Sequence, residues 1–270
     1  MNSLATVRPG STLTLLALAL FAGGCALESD SLEDADPPEA LSEESQALGH
    51  HHSDSELVLQ KSPGGAKKYK HHSEGWLRWA MSIPWSTGPV TDTTGASCDL
   101  GQSGPVWYLA GTEGGPVTRE CTIPEGKKLF FPLWNVWSIP PAEFVDEPAE
   151  VASFVEFFTG YFPQTRATAC SLTLRLDGED LLPSLSALDR NLWVQTLNPF
   201  PIFVTPGDNF AGYEGGDMPA ALVAGHYALL HPLSPGDHIL ELGGAQCDDT
   251  GVVFETSAVY NLHVEGNNDD

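Results

Sequence analysis

The sequence predicts a mainly β domain, an antiparallel β-sandwich or jelly-roll-like arrangement with one or two helices on its flank. Three observations carry this. Short runs rich in β-branched and aromatic residues recur between residues 91 and 264, Gly- and Pro-rich turns separate them, and only two stretches show a helical period. The 27 glycines and 21 prolines supply that punctuation. Many short strands with such turns suit a sandwich and leave its topology open.

Residues 1–24 read as a secretory leader. Arg8 precedes an apolar run over 13–21, and the small residues Ala22, Gly23 and Gly24 stand directly before Cys25. The run is too short for a transmembrane helix, which needs about 20 apolar residues. Ala22-Gly23-Gly24-Cys25 resembles the lipobox of bacterial lipoproteins, and the resemblance implies that Cys25 is acylated and becomes the mature N-terminus. The membrane is then a partner through the lipid anchor, and Ala26 after the cysteine favours the outer membrane over the inner one.

Residues 25–72 are expected to be a disordered tether. Positions 28–56 are rich in Asp, Glu, Ser and Pro with almost no aromatic or β-branched residue, so they bury too little apolar surface to offset the entropy of ordering. The tether contains His50, His51 and His52, with His71 and His72 after the basic Lys67, Lys68 and Lys70. A polar linker is favoured there over a weak Zn or Cu site.

The formal charge is −24, and loss of Arg8 with the leader makes it one unit more negative. Such a surface repels nucleic acid and anionic headgroups, so no nucleic-acid partner is expected.

The folded domain is expected over 73–264. Ser73 reads as the cap of a short helix that places Trp76, Trp79 and Ala80 on one face before Pro84. Residues 91–135 follow as the centre of the chain. Strands are expected over 105–110, 117–123 and 128–134, the second with Val117, Arg119, Cys121 and Ile123 on its more apolar face, and together they read as a meander. Residues 146–160 predict a helix capped by Asp146, with Pro148 in its first turn, an apolar stripe of Val151, Phe154, Val155 and Phe158, and Gly160 as its stop. Strands over 171–176 and 179–182 flank the tight-turn pair Asp177-Gly178. Further strands over 193–197 and 200–204 precede a long loop, 206–218. A hairpin is expected from 226–231 and 238–242, which would set His231 across from His238. Strands over 252–254 and 257–264 close the domain before a disordered tail, 265–270.

Two blocks carry a resemblance to a known set of proteins. One is Gly101-Gln102-Ser103-Gly104-Pro105-Val106-Trp107-Tyr108-Leu109-Ala110-Gly111 with the Arg119 to Lys127 run, Phe130-Phe131-Pro132-Leu133 and Asn135. The other is Pro232-Leu233-Ser234-Pro235-Gly236-Asp237-His238 with Leu242-Gly243-Gly244 and Val259-Tyr260-Asn261-Leu262-His263-Val264. Together they resemble an uncharacterised family of exported bacterial proteins, which implies no particular activity.

Four cysteines remain beside Cys25. Cys98, Cys121, Cys170 and Cys247 allow three pairings in an oxidising compartment, of which Cys98 with Cys121 is preferred because the turn-strand-turn between them can return the chain. No nucleophile elbow, phosphate-cradling loop or HExxH motif is present. The expected role is binding or scaffolding, with an envelope glycan or protein as partner and no required cofactor. Gln102, Tyr108, Trp134 and Asn135 are candidate binding residues, joined by Asp208 and Asp217 of the long loop. The alternative is an exported hydrolase or metal enzyme assembled from the 206–238 region, with a divalent cation on His226, His231 and His238. Cys25→Ser is expected to move the protein from the membrane pellet to the soluble fraction and to abolish acyl labelling. Unchanged partitioning and labelling would overturn the anchor.

Overall fold

The computed structural model describes residues 65–145, 147–182, 192–210, 212 and 214–266. The lipobox, the tether histidines His50 to His52 and the tail from Asn267 lie outside the described residues. The first element, helix α1, is Gly65–Met81, which corrects the boundary expected at Ser73. Tyr69, Ser73, Trp76, Leu77 and Ala80 are buried at the i, i+3/i+4 spacing of one helical face. The lysines and histidines between them make the stretch look like tether. Ser73 is no cap: its hydroxyl donates to the Lys70 carbonyl within the helix (2.9 Å).

The strands are β1 (Val106–Tyr108), β2 (Gly115–Pro124), β3 (Lys128–Ser138), β4 (Ala169–Leu176), β5 (Glu179–Asp180), β6 (Trp193–Gln195), β7 (Ile202–Val204), β8 (Gly216–Met218), β9 (Leu222–Leu230), β10 (Gly236–Asp248) and β11 (Gly251–Glu265), with helix α2 (Pro148–Thr168) between β3 and β4. One sheet has the order β1-β3-β9-β6 and a second β2-β11-β10-β4-β5, while β7 and β8 pair as a small third sheet. The fold is mainly β, a sandwich with flanking helices.

Two expectations about pairing are overturned. The 105–134 region is not a meander: β1 runs parallel to β3, while β2 leaves for the other sheet and runs parallel to β11. Nor do β9 and β10 form a hairpin. The 231–235 connection crosses between sheets, β9 pairing with β3 and β6 while β10 pairs with β11 and β4. The sequence pattern of each strand is satisfied in either arrangement, because alternation states which face is apolar and not which neighbour lies alongside.

The four-stranded sheet is a middle layer. Leu129, Phe131, Leu133, Ala228 and Leu230 face Leu174, Leu240, Leu242, Tyr260 and Leu262 of the five-stranded sheet. On its other side Phe130, Val223, Tyr227 and Leu229 pack against Trp76, Leu77, Ala80 and Met81 of α1 and against Ile202, Val204 and Met218 of the small sheet. Every residue of β9 is buried, as its unbroken run Leu-Val-Ala-Gly-His-Tyr-Ala-Leu-Leu demands.

Helix α2 closes one end of the sandwich through Phe154, Val155, Phe158 and Phe162 against Leu222, Ala224 and Val136. It starts with the Glu150 carboxylate accepting from the Glu147 N–H (3.3 Å). The expected cap, Asp146, lies outside the described residues, and Gly160 does not stop the helix, which continues through Pro163 to Thr168. Pro163 lacks the N–H that would bond the Thr159 carbonyl, and the Gln195 side-chain amide donates to that carbonyl instead (3.4 Å). Among the described residues no helix is long and apolar enough to cross a membrane.

Both disulfides are formed, Cys98–Cys121 and Cys170–Cys247. Closing the first loop, with a sequence separation of 23, stabilises by roughly 3 kcal/mol in the chain-entropy picture. Two bridges fit an oxidising compartment.

Arg119 of β2 points inward, 1% exposed, between the strand and the loops that precede it. Its Nε donates to the Asp92 carbonyl (2.7 Å), Nη2 to that of Val90 (3.1 Å), and Nη1 to those of Ala110 (2.8 Å) and Gly111 (3.0 Å) and to the Tyr260 hydroxyl (2.7 Å). Arg119→Met would leave the carbonyls of Val90, Asp92 and Gly111 without this donor, Ala110 keeping the Tyr260 hydroxyl, a loss of about 3–5 kcal/mol. The thermal midpoint should fall by about 10 °C, read by circular dichroism, and a fall under about 2 °C would overturn this role.

Candidate ligand-binding cleft

β1 ends at Tyr108, so among the described residues only Lys128 to Phe130 of β3 are paired on that edge. From there the chain is drawn away from β3 and onto the five-stranded sheet. The Tyr260 hydroxyl accepts from the Ala110 N–H (3.1 Å) and donates to the Ala110 carbonyl (2.8 Å), while Thr256 Oγ1 accepts from the Thr112 N–H (2.9 Å). The separation leaves a cleft of about 310 Å³ between Gly111, Thr112 and Glu113 on one side and 132–137 of β3 on the other. Trp85, Phe210 and Phe254 complete its wall.

The β3 side of the cleft is shaped by a bulge. Register slips between Pro132 and Trp134, so Leu133 is an extra residue and the faces exchange beyond it. Two glycines make room: a Cβ on Gly225 of β9 would meet the Trp134 carbonyl at 2.5 Å, and one on Gly244 of β10 would meet Trp134 Cβ at 2.7 Å. The shift turns Asn135 and Trp137 towards the α1 side, where the Asn135 amide donates to the Tyr227 hydroxyl (3.2 Å).

The aromatic wall is held by its own contacts. Phe210, 51% exposed, sets its ring edge-to-face with Trp137 (4.3 Å between centroids) and with Trp85 (5.5 Å). Trp85 Nε1 donates to the Glu113 carboxylate (3.0 Å), which links the two rims of the cleft. Asp208 anchors the loop that carries Phe210: its carboxylate accepts from the Ser86 N–H (3.0 Å) and hydroxyl (2.5 Å), and its carbonyl from the Trp85 N–H (3.0 Å). Those hydrogen bonds hold the Asp208 carboxyl below the usual range.

Of the binding residues predicted from sequence, Trp134 and Asn135 line this cleft. Gln102 does not. Its amide donates to the carbonyls of Cys98 (3.0 Å) and Tyr108 (2.8 Å) and accepts from the Tyr108 N–H (2.9 Å), so it clamps a turn onto β1. Tyr108 and Asp217 line a wider groove of about 740 Å³ beside Arg78 and Phe203. Trp85, Glu113, Trp137 and Phe210 escape the sequence reading. The signal for Phe210 was an aromatic ring in an otherwise Gly- and Asp-rich loop.

The proposed histidine set is not brought together. His226 is buried beside Trp193 (5.0 Å between rings), His231 lies in the connection that follows β9, and His238 lies on the other sheet. Among the described residues no group of three His, Cys, Asp or Glu side chains is placed to hold a metal ion. His238 instead donates from Nδ1 to Asp177 (2.7 Å) and from Nε2 to the Ser234 carbonyl (2.9 Å), with the Ser234 hydroxyl farther off at 3.4 Å. The trio has the composition of a hydrolytic triad. Nε2, though, lies closer to the Ser234 carbonyl than to the Ser234 hydroxyl, so the ring is not aimed at the serine proton as a triad base would be.

Burial pulls the His238 pKa down, but the hydrogen bonds to Asp177 and Ser234 and the charges of Asp177 and Asp237 outweigh it, so the net direction is up. A raised folded value means that the contribution is fully present below about 6.5, the ordinary value, and is lost as pH climbs through the folded one. Between pH 6 and 8 the wild-type midpoint should fall by about 1–2 °C relative to Asp177→Asn. Asparagine suits the left-handed backbone of Asp177 (φ 51°) and keeps an acceptor for the Ile239 N–H, so an identical pH slope in the variant would overturn the clamp. No protein-family model, curated protein or solved structure matches the chain.

Proposed function

We propose that this is an exported, lipid-anchored envelope protein whose sandwich domain binds a small organic ligand or the end of a larger one in the Trp85–Trp137–Phe210 cleft. The observation that carries the reading is that concave aromatic wall, set beside Asn135, Thr112 and Glu113. Small-molecule sites are concave and mostly apolar, with a few polar groups to fix orientation. Phe210 in particular holds half its surface in solvent although apolar neighbours are within reach, which is what a ring kept for a ligand does.

Export is supported by the leader and the two disulfides, and attachment by the lipobox resemblance. Binding is favoured over hydrolysis because the cleft presents no nucleophile paired with a base among the described residues that line it. An envelope glycan or protein remains the partner class expected from the setting.

The test is a titration of 15N-labelled full chain with a panel of aliphatic ammonium, neutral disaccharide, zwitterion and acidic dipeptide. At least one class is expected to shift the indole N–H resonances of Trp85 and Trp137 while leaving that of Trp107, in the sandwich core, in place. Phe210→Ala with Trp137→Ala should weaken that binding at least about tenfold. A panel that moves neither indole would overturn the reading.

A further inference from the structure

We propose that the cleft takes the ammonium group of a small organic cation, a quaternary or methylated amine. The inference rests on reading the cleft as a binding site and specifies its ligand class.

The lining groups that keep exposed surface are the half-buried Trp85, Trp137 and Asn135, with Val90, Gly111, Thr112 and Val136 beside them, and the exposed Phe210, Phe254 and Glu113. Four of these are π systems, whose faces carry negative charge density, and an ammonium held over such a face is attracted by about 0.5–2 kcal/mol, the more so when water is excluded. Glu113 is the one lining residue, among those described, that carries a formal charge. A carboxylate and several aromatic rings in one recess make a negative field, with no cationic side chain among the described residues that line it.

A buried positive group stands behind one wall of the cleft. Arg119 lies behind the main chain of Ala110 and Gly111, its donors turned into their carbonyls and those of Val90 and Asp92. The formal charge of −24 acts in the same direction, concentrating cations near the surface and repelling anionic ligands. A neutral sugar would use the same rings but gain nothing from Glu113 as a charge. Trp85 Nε1 already donates to that carboxylate (3.0 Å), which fixes both groups and leaves the second oxygen as an acceptor or counter-charge.

The experiment is calorimetric titration of the full chain with choline and with its neutral carbon isostere, 3,3-dimethylbutan-1-ol. The two have nearly the same shape, so their ratio reads the charge alone. Choline should bind at least about tenfold more tightly. Its affinity should fall with added NaCl, and Glu113→Gln, which keeps an acceptor for Trp85, should lower it about fivefold. Equal binding of both ligands, or binding of a neutral disaccharide with none of choline, would overturn the cation and leave the cleft as a binding site. No heat with any of the three, together with unmoved Trp85 and Trp137 indoles, would overturn both.

Discussion

The guanidinium of Arg119 is buried where a charge is costly, and it is stabilised by main-chain carbonyls from two separate stretches, Val90 and Asp92 in one and Ala110 and Gly111 in the other. Those stretches have little secondary structure of their own to fix them. Each therefore depends on a donor that reaches it from β2. Tyr260 shares the work from β11, with its hydroxyl donating to and accepting from the same residue, Ala110. Asp92 adds a local lock: burial pushes its carboxyl up, but hydrogen bonds from Ser97 and Thr94 and the charge of Arg119 prevail and hold it below the usual range. Its carbonyl is thereby presented to Arg119 in one orientation. Gly95, at φ 93°, lets that same loop press against the Glu120 main chain, where the Glu120 N–H donates to the Thr94 carbonyl (2.8 Å).

Two of the site's properties follow from this one arrangement. Pulling Ala110 towards β11 ends the pairing of β1 with β3, and the gap that opens is the cleft. The strand edge left free there includes Pro132, which has no N–H to leave unpaired. A longer β1 would have filled the cleft with its own backbone.

What could be read from the sequence was what local chemistry determines. The alternation of Val117, Arg119, Cys121 and Ile123 correctly gave the inward face of β2, and Asp177-Gly178 gave a turn in which both residues have positive φ (51° and 82°). The disulfide partners preferred on chain geometry are those that form. Pairing between distant strands was not legible, because a run such as β9 is equally apolar beside any neighbour. Helix α1 was hidden because its buried face is interleaved with lysine and histidine. The cleft was only half legible for a related reason: a one-residue bulge after Pro132 reverses the side-chain parity of β3, so a strand read with strict alternation stops at Trp134 and never reaches Trp137.

The wall of the cleft is drawn from chain segments that are loops or strand ends, yet hydrogen bonds tie them to their neighbours. Thr91 Oγ1 donates to the Trp85 carbonyl (2.5 Å), Thr205 N–H to the Met81 carbonyl (2.9 Å), and Asn209 Nδ2 to the Thr205 carbonyl (3.0 Å). With Asp208 on Ser86 and Glu113 on Trp85, the rings stand in place before any ligand arrives. Binding to a site of this kind avoids the ordering cost of about 0.5–1.5 kcal/mol for each side chain that would otherwise be immobilised. Modest cation–π and ion-pair contributions can then appear as affinity instead of being absorbed by loop closure, so a cleft this small can still hold a ligand. The same ties make Phe210 the informative ring. Its neighbours are fixed, its own loop is anchored one and two residues upstream, and half of its surface is still in water.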